Sequence, residues 1–106
     1  MARQRPPSDL QSLIEEITID CYNEDEELMG FENAFDEQAD FPCPGTVIGQ
    51  EVTVLSVATK NGRRELLATC EHKGRRYEIA LLDVQLRTDP ATERLVAAYR
   101  YWASCR

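Results

Sequence analysis

The hydrophobic period of the chain changes twice, and the changes divide it into helix, sheet and helix. Residues 1–7 read as an arm, since Pro6 and Pro7 oppose helix. Ser8 suits a helix cap and Asp9 a first turn. Leu10, Leu13, Ile14 and Ile17 then recur at helical spacing. A first helix is predicted over 8–19, weakened at its end by the β-branched Ile17, Thr18 and Ile19. Asn23 suits the cap of a second helix, with an apolar face of Leu28, Phe31, Phe35 and Ala39. That helix ends before Phe41-Pro42, because a residue ahead of proline avoids helical geometry.

Beyond Pro44-Gly45 the period becomes two. Val47 and Ile48 open an extended stretch and Gly49 marks a turn. Val52 and Val54 then face one way, and Thr53, Leu55 and Val57 the other. Asn61-Gly62 is a hairpin signal. Two more strands follow over 65–72 and 76–82, around a turn at Lys73-Gly74, and Val84 and Leu86 add a short fifth. Asp89, Pro90 and Glu93 open the last helix, and Leu95, Ala98, Tyr99 and Trp102 supply its buried face. The expectation is one α+β domain over 1–106. It has the arm (1–7), an acidic helical part (8–40), antiparallel strands (45–87) and a C-terminal helix (89–104). Two N-terminal helices thus precede a small antiparallel sheet, or partial barrel, of three to five strands.

Charge adds what periodicity does not show. The formal net charge is −7, with 42% apolar and 29% charged residues. That is globular composition, and it argues against nucleic acid as a partner for the whole surface. No apolar run reaches the length of a membrane span, and residues 1–12 lack the apolar core of a secretory signal, so a cytoplasmic setting is expected. Residues 15–40 hold 11 Asp or Glu and no Lys or Arg, which concentrates more than the whole net charge in a quarter of the chain. Like charges so close repel, and a cation or a basic protein partner would relieve them. Part of the run has an ordinary reason, because Glu24 to Glu27 fill the first turn of a helix, where the dipole favours anions.

On the second helix Asp25, Glu32 and Asp36 share a stripe beside the apolar face. Glu32 and Asp36 are an i,i+4 pair within reach of one cation. Asp20 precedes the helix and can fold over its first turn. Several carboxylates with oxygen donors alone suit a hard cation, Ca²⁺ before Mg²⁺, against the plainer alternative of a solvated acidic face. The segment is not an EF-hand. Counted from Asn23, position 6 of that loop would be Leu28 instead of glycine, and position 12 would be Ala34 instead of Glu.

Other chemistry is thinner. Cys21, Cys43, Cys70 and Cys105 form no C-x-x-C pair. Cys70 and His72 alternate onto one strand face and would need two distant partners, such as Cys21 and Cys43, to bind zinc; free thiols are the favoured reading. The single histidine and the lack of nucleophile or phosphate-loop motifs point away from an enzyme. Lys60, Arg63, Arg64, Lys73, Arg75 and Arg76 flank two turns, and with Tyr77 for stacking they would suit a nucleic-acid-binding small barrel. Balancing surface charge is favoured over that reading.

Together, the run ITIDCYNEDEE (Ile17 to Glu27), Phe41-Pro42 after an aromatic-bearing helix, the strand opening at Glu51-Val52-Thr53-Val54, and the ending from Asp89-Pro90-Ala91-Thr92 to Tyr101-Trp102 form a pattern. It resembles the small acidic non-EF-hand calcium-binding proteins of the cyanobacterial CcbP type, from about Ile14 to Trp102. The resemblance implies one α+β domain that binds Ca²⁺ through acidic residues as a buffer or sensor in signalling. By position it implicates Asp20, Glu24, Asp25 and Glu27 first, then Glu32, Asp36 and Glu37. The stretch Thr46 to Gln50 looks shorter than in such proteins, and Cys21 and Cys43 depart from their pattern. The expected partner is the calcium ion, and the expected state is a monomer.

Overall fold

The computed structural model describes residues 8–60 and 64–104. The predicted arm, the Asn61-Gly62 signal, Arg63 and Cys105 lie outside them. Helix α1 spans Ser8–Ile17 and α2 spans Glu24–Gln38. Strands β1 (Cys43–Val47), β2 (Gln50–Ala58), β3 (Leu67–His72) and β4 (Arg75–Ala80) follow. A short 3-10 turn (Leu81–Asp83) leads into β5 (Gln85–Leu86), and α3 spans Pro90–Ser104. The strands form one open antiparallel sheet in the order β4-β3-β2-β1-β5. The fold is therefore α+β with the predicted element order, and the sheet does not curl into the partial barrel held as an alternative.

Local chemistry sets the boundaries. Helix α1 stops two residues short of the expected end because Thr18 turns back on the helix. Its hydroxyl donates to the Ile14 carbonyl at 2.7 Å, alongside its own N–H at 2.9 Å. Asp20 then takes φ 65°, the left-handed geometry that Asp tolerates better than most residues. Strand β1 begins earlier than periodicity placed it. Pro44 lacks an N–H, but its carbonyl accepts from Arg87 N–H at 2.8 Å, which extends the β5 side of the ladder. The predicted strand over 76–82 ends at Ala80, where the 3-10 turn takes over. Both two-residue turns, Ile48-Gly49 and Lys73-Gly74, have positive φ throughout, as the right-handed strand twist requires of tight hairpins.

One difference changes the core. Strict alternation puts Val54 and Val57 on opposite faces of β2, yet both are buried. The register shifts between Val54 and Ser56, so Val54 faces Cys70 and Val57 faces Ala68, both core positions of β3. This bulge at Leu55 turns the second half of β2 over.

The core lies between the inner sheet face and the helices. Phe31, Tyr99 and Trp102 form an aromatic cluster with ring centroids 5.2–5.9 Å apart. Tyr99 is fully buried, and its hydroxyl accepts from Leu66 N–H at 2.9 Å, which ties α3 to the entry of β3. Ala34 of α2 is also buried, while Ala39, expected on the apolar face, is the half-buried residue that closes the helix. Among the described residues no helix is long and apolar enough to cross a membrane.

Candidate functional site

The acidic segment folds into a corner between α1 and α2. Two backbones meet closely there: a Cβ added to Gly30 would lie 2.7 Å from the Ile17 carbonyl oxygen. Glycine is thus the residue that lets the end of α1 rest on α2. Asn23 caps α2 by accepting Glu26 N–H on Oδ1 at 2.9 Å. Glu26 replies, accepting Tyr22 N–H on Oε1 at 3.0 Å. This reciprocal arrangement is a capping box displaced by one residue. Asn23 followed three residues later by Glu26 is the sequence signature of this box. Glu26 therefore shapes the corner, although it was not among the candidate ligands.

Two of the candidate carboxylates carry structural duties that reach across the fold. Glu27 Oε1 accepts from Trp102 Nε1 at 2.7 Å and joins α2 to α3. Glu32 Oε2 accepts from Thr59 N–H at 2.7 Å and from the Thr59 hydroxyl at 3.2 Å, which anchors α2 to the end of β2. Each keeps one carboxylate oxygen outside those bonds. Asp20, Glu24, Asp25, Asp36 and Glu37 are exposed. The i,i+4 pair Glu32 and Asp36 is divided in consequence, with Glu32 turned to the sheet and Asp36 to solvent. Among the described residues no three carboxylates, thiols or imidazoles already stand together as an ion-binding group.

The electrostatics nonetheless favour a cation. The last turn of α1 holds no basic residue and carries Glu15 and Glu16, the sign that the helix dipole disfavours there. The last turn of α2 likewise has no base and carries Asp36 and Glu37. The Cys21 thiol sits within this field and donates to the Glu26 carbonyl at 3.5 Å. Its pKa is pushed up, first by desolvation and then by Glu26, Glu27 and Asp20, so it stays a neutral thiol. The donors left to a metal at the corner are carboxylate and carbonyl oxygens, a set that fits a hard cation such as calcium and does not suit a thiolate-seeking one. Such an ion would draw exposed, flexible side chains together rather than enter a finished cage.

The zinc alternative lacks its geometry. Cys43 and Cys70 flank Val54 on neighbouring strands, two strand spacings or about 10 Å apart, and with Cys21 all three are free thiols. His72 points a ring nitrogen at the Glu51 carbonyl, at 3.0 Å. The basic residues that flank the two turns do not gather at one end of the sheet. Lys60 and Arg64 flank the β2–β3 connection, while Lys73, Arg75 and Arg76 lie at the opposite end of β3. Lys60 pairs with Glu78.

The family model described as calcium binding, of the CcbP type, matches residues 11–103. The chain belongs to the CcbP family of calcium-binding proteins. Two solved structures share the CcbP fold with it. The crystal structure of Anabaena CcbP is 24% identical, with TM-score 0.83, covering 98% of this chain and 96% of that one. A calcium-binding protein in its calcium-binding form is 22% identical, with TM-score 0.82, covering 99% and 97%. No curated protein sequence matches. The family is described by calcium binding and not by an enzymatic activity.

Proposed function

We propose that the chain is a non-enzymatic calcium buffer or sensor that binds Ca²⁺ at the corner between α1 and α2. The observation that carries this reading is the base-free, carboxylate-rich corner at the negative end of α1, within a chain of a calcium-binding family. Asp20, Glu24 and Asp25 would supply the principal ligands. Glu27 would add the oxygen that Trp102 leaves unused, and carbonyls of the turn would complete the six to eight oxygens that calcium takes. Glu32, Asp36 and Glu37 make a second, weaker set, because one Glu32 oxygen is committed to Thr59. A cytoplasmic signalling role goes with this reading.

A second reading, a basic protein docking on the same face without metal, is favoured by Tyr22 and Ile19. They are 89% and 69% exposed inside the acidic segment, where they would anchor an apolar side chain of the partner. Calorimetry on chelator-treated protein separates the two. Calcium should bind, and at 100 times the dissociation constant it should add about 2.7 kcal/mol of stability in a melting scan. Asp20→Asn with Asp25→Asn should weaken binding by roughly tenfold or more, since ligand charge sets calcium affinity. Absence of heat and of any melting shift at millimolar calcium removes the first reading.

A further inference from the structure

Strand β4 ends the sheet, and among the described residues it pairs only with β3. The hairpin fixes which of its backbone groups are spent. His72 faces Arg75 across the two-residue turn, so that pair is hydrogen-bonded and the pairs alternate beyond it. The backbone groups of Arg75, Tyr77 and Ile79 therefore face β3. The bond from Leu81 N–H to the Leu66 carbonyl, 2.9 Å, continues the same parity. Those of Arg76, Glu78 and Ala80 point away from the sheet and carry no ladder bonds.

We propose that a second copy of this chain pairs antiparallel with β4 through its own β4, joining two five-stranded sheets across a twofold axis at Tyr77. The argument is self-complementarity. About the middle of this edge, a twofold antiparallel pairing can be centred on Arg76, Tyr77 or Glu78. Centring on Arg76 sets arginine against arginine, and centring on Glu78 sets glutamate against glutamate. Centring on Tyr77 sets Arg76 opposite Glu78 of the second copy, twice by symmetry, and opposite charges directly across a ladder stabilise it. In the same register Arg76 and Glu78 form hydrogen-bonded pairs, and the two Tyr77 rings meet at a close, non-hydrogen-bonded position. Tyr77 is 46% exposed although it lies on the inner face with buried Cys70. Edge strands are commonly guarded by charge, lysine above all, because like charges meet when two such edges pair. Here one cation and one anion alternate at the spacing self-pairing needs. Glu78 already meets Lys60 through one oxygen, which leaves the other for Arg76 of the second copy. The opposite edge offers no rival, since β5 is two residues long. An edge of six residues falls short of the roughly 1,200 Å² of a stable interface, so the dimer is expected to be concentration-dependent.

Sedimentation velocity over a concentration series, with the full chain, tests this. The unaltered protein should shift from monomer to dimer as concentration rises. Arg76→Glu and Glu78→Arg should each weaken dimerisation by roughly fivefold or more, and the two together should restore it, because they exchange the charges without changing the register. All of these positions are exposed, and circular dichroism checks that each variant folds. Under oxidation Tyr77→Cys should yield a covalent dimer linked between the two positions 77, read by peptide mass mapping. A protein that stays monomeric at millimolar concentration overturns the proposal. So does a dimer indifferent to the single substitutions, or one that the paired exchange fails to rescue.

Discussion

Trp102 Nε1 donates to Glu27 Oε1 at 2.7 Å, so the tryptophan of the C-terminal helix is bonded to a carboxylate of the proposed calcium corner. It is the chain's one tryptophan. Recruitment of Glu27 by calcium would pull on that bond and alter the polarity around the indole. Calcium should therefore change the Trp102 fluorescence, and Glu27→Gln, which keeps an acceptor but loses the charge, should blunt both the signal and the affinity. An emission spectrum unmoved by saturating calcium would detach Glu27 from the site. Trp102→Phe should cost about 1–3 kcal/mol in a denaturant melt, because it strands a half-buried carboxylate oxygen.

At Gly30 the usual preference reverses. In a helix interior Gly→Ala ordinarily stabilises by up to about 1 kcal/mol. Here the new Cβ would meet the Ile17 carbonyl oxygen at 2.7 Å, a backbone atom that moves only if α1 moves. Gly30→Ala should lower the melting temperature, and because α1 carries Asp20 behind it, calcium affinity should fall as well. A variant more stable than the parent would show that α1 is free to shift.

How far the sequence could be read depends on whether a feature is local. Asn23 as a cap and Pro90 as an opener were legible because each acts within one turn, and the face Leu95, Ala98, Tyr99 and Trp102 was legible because period alone defines it. The bulge at Leu55 was not legible, because Val52 and Val54 on one phase and Leu55 and Val57 on the other hide the shift in alternation that it makes. The basic residues looked like one cluster because a chain does not show that β3 separates its two flanking turns. For the proposed site, the acidity of the segment was plain from composition. The duties of Glu27 towards Trp102 and of Glu32 towards Thr59 were not, because they span 75 and 27 residues.

The bond from Leu66 N–H to the Tyr99 hydroxyl can be tested by removing one oxygen atom. Both residues are buried, so Tyr99→Phe leaves an N–H with no acceptor and no water. The expected loss is about 1–3 kcal/mol in chemical denaturation, with the aromatic packing against Phe31 retained. Calcium affinity should stay within error, since the bond joins α3 to β3 away from the acidic corner. A loss of binding equal to that of Asp25→Asn would mean that the two regions are coupled.

The cap of α3 gives the fold an acid-sensitive point. Asp89 accepts Thr92 N–H at 3.2 Å, the Thr92 hydroxyl at 2.7 Å and the Thr88 hydroxyl at 3.0 Å. The Thr92 hydroxyl in turn accepts Asp40 N–H at 3.1 Å, so the cap also holds the exit of α2. These bonds to the charged form, from the Thr92 side chain first, hold the Asp89 pKa below its ordinary 3.8. A carboxyl whose pKa is lower folded than unfolded binds fewer protons in the native state. Its stabilisation is complete above pH 3.8 and is lost as pH falls below that value through the folded pKa. Asp89→Asn keeps a competent cap but removes the titration. In melts from pH 6 down to about pH 2 the variant's stability should therefore fall less steeply than the parent's below about pH 4. Parallel curves would assign the acid limb to the other carboxylates and leave Asp89 a cap alone.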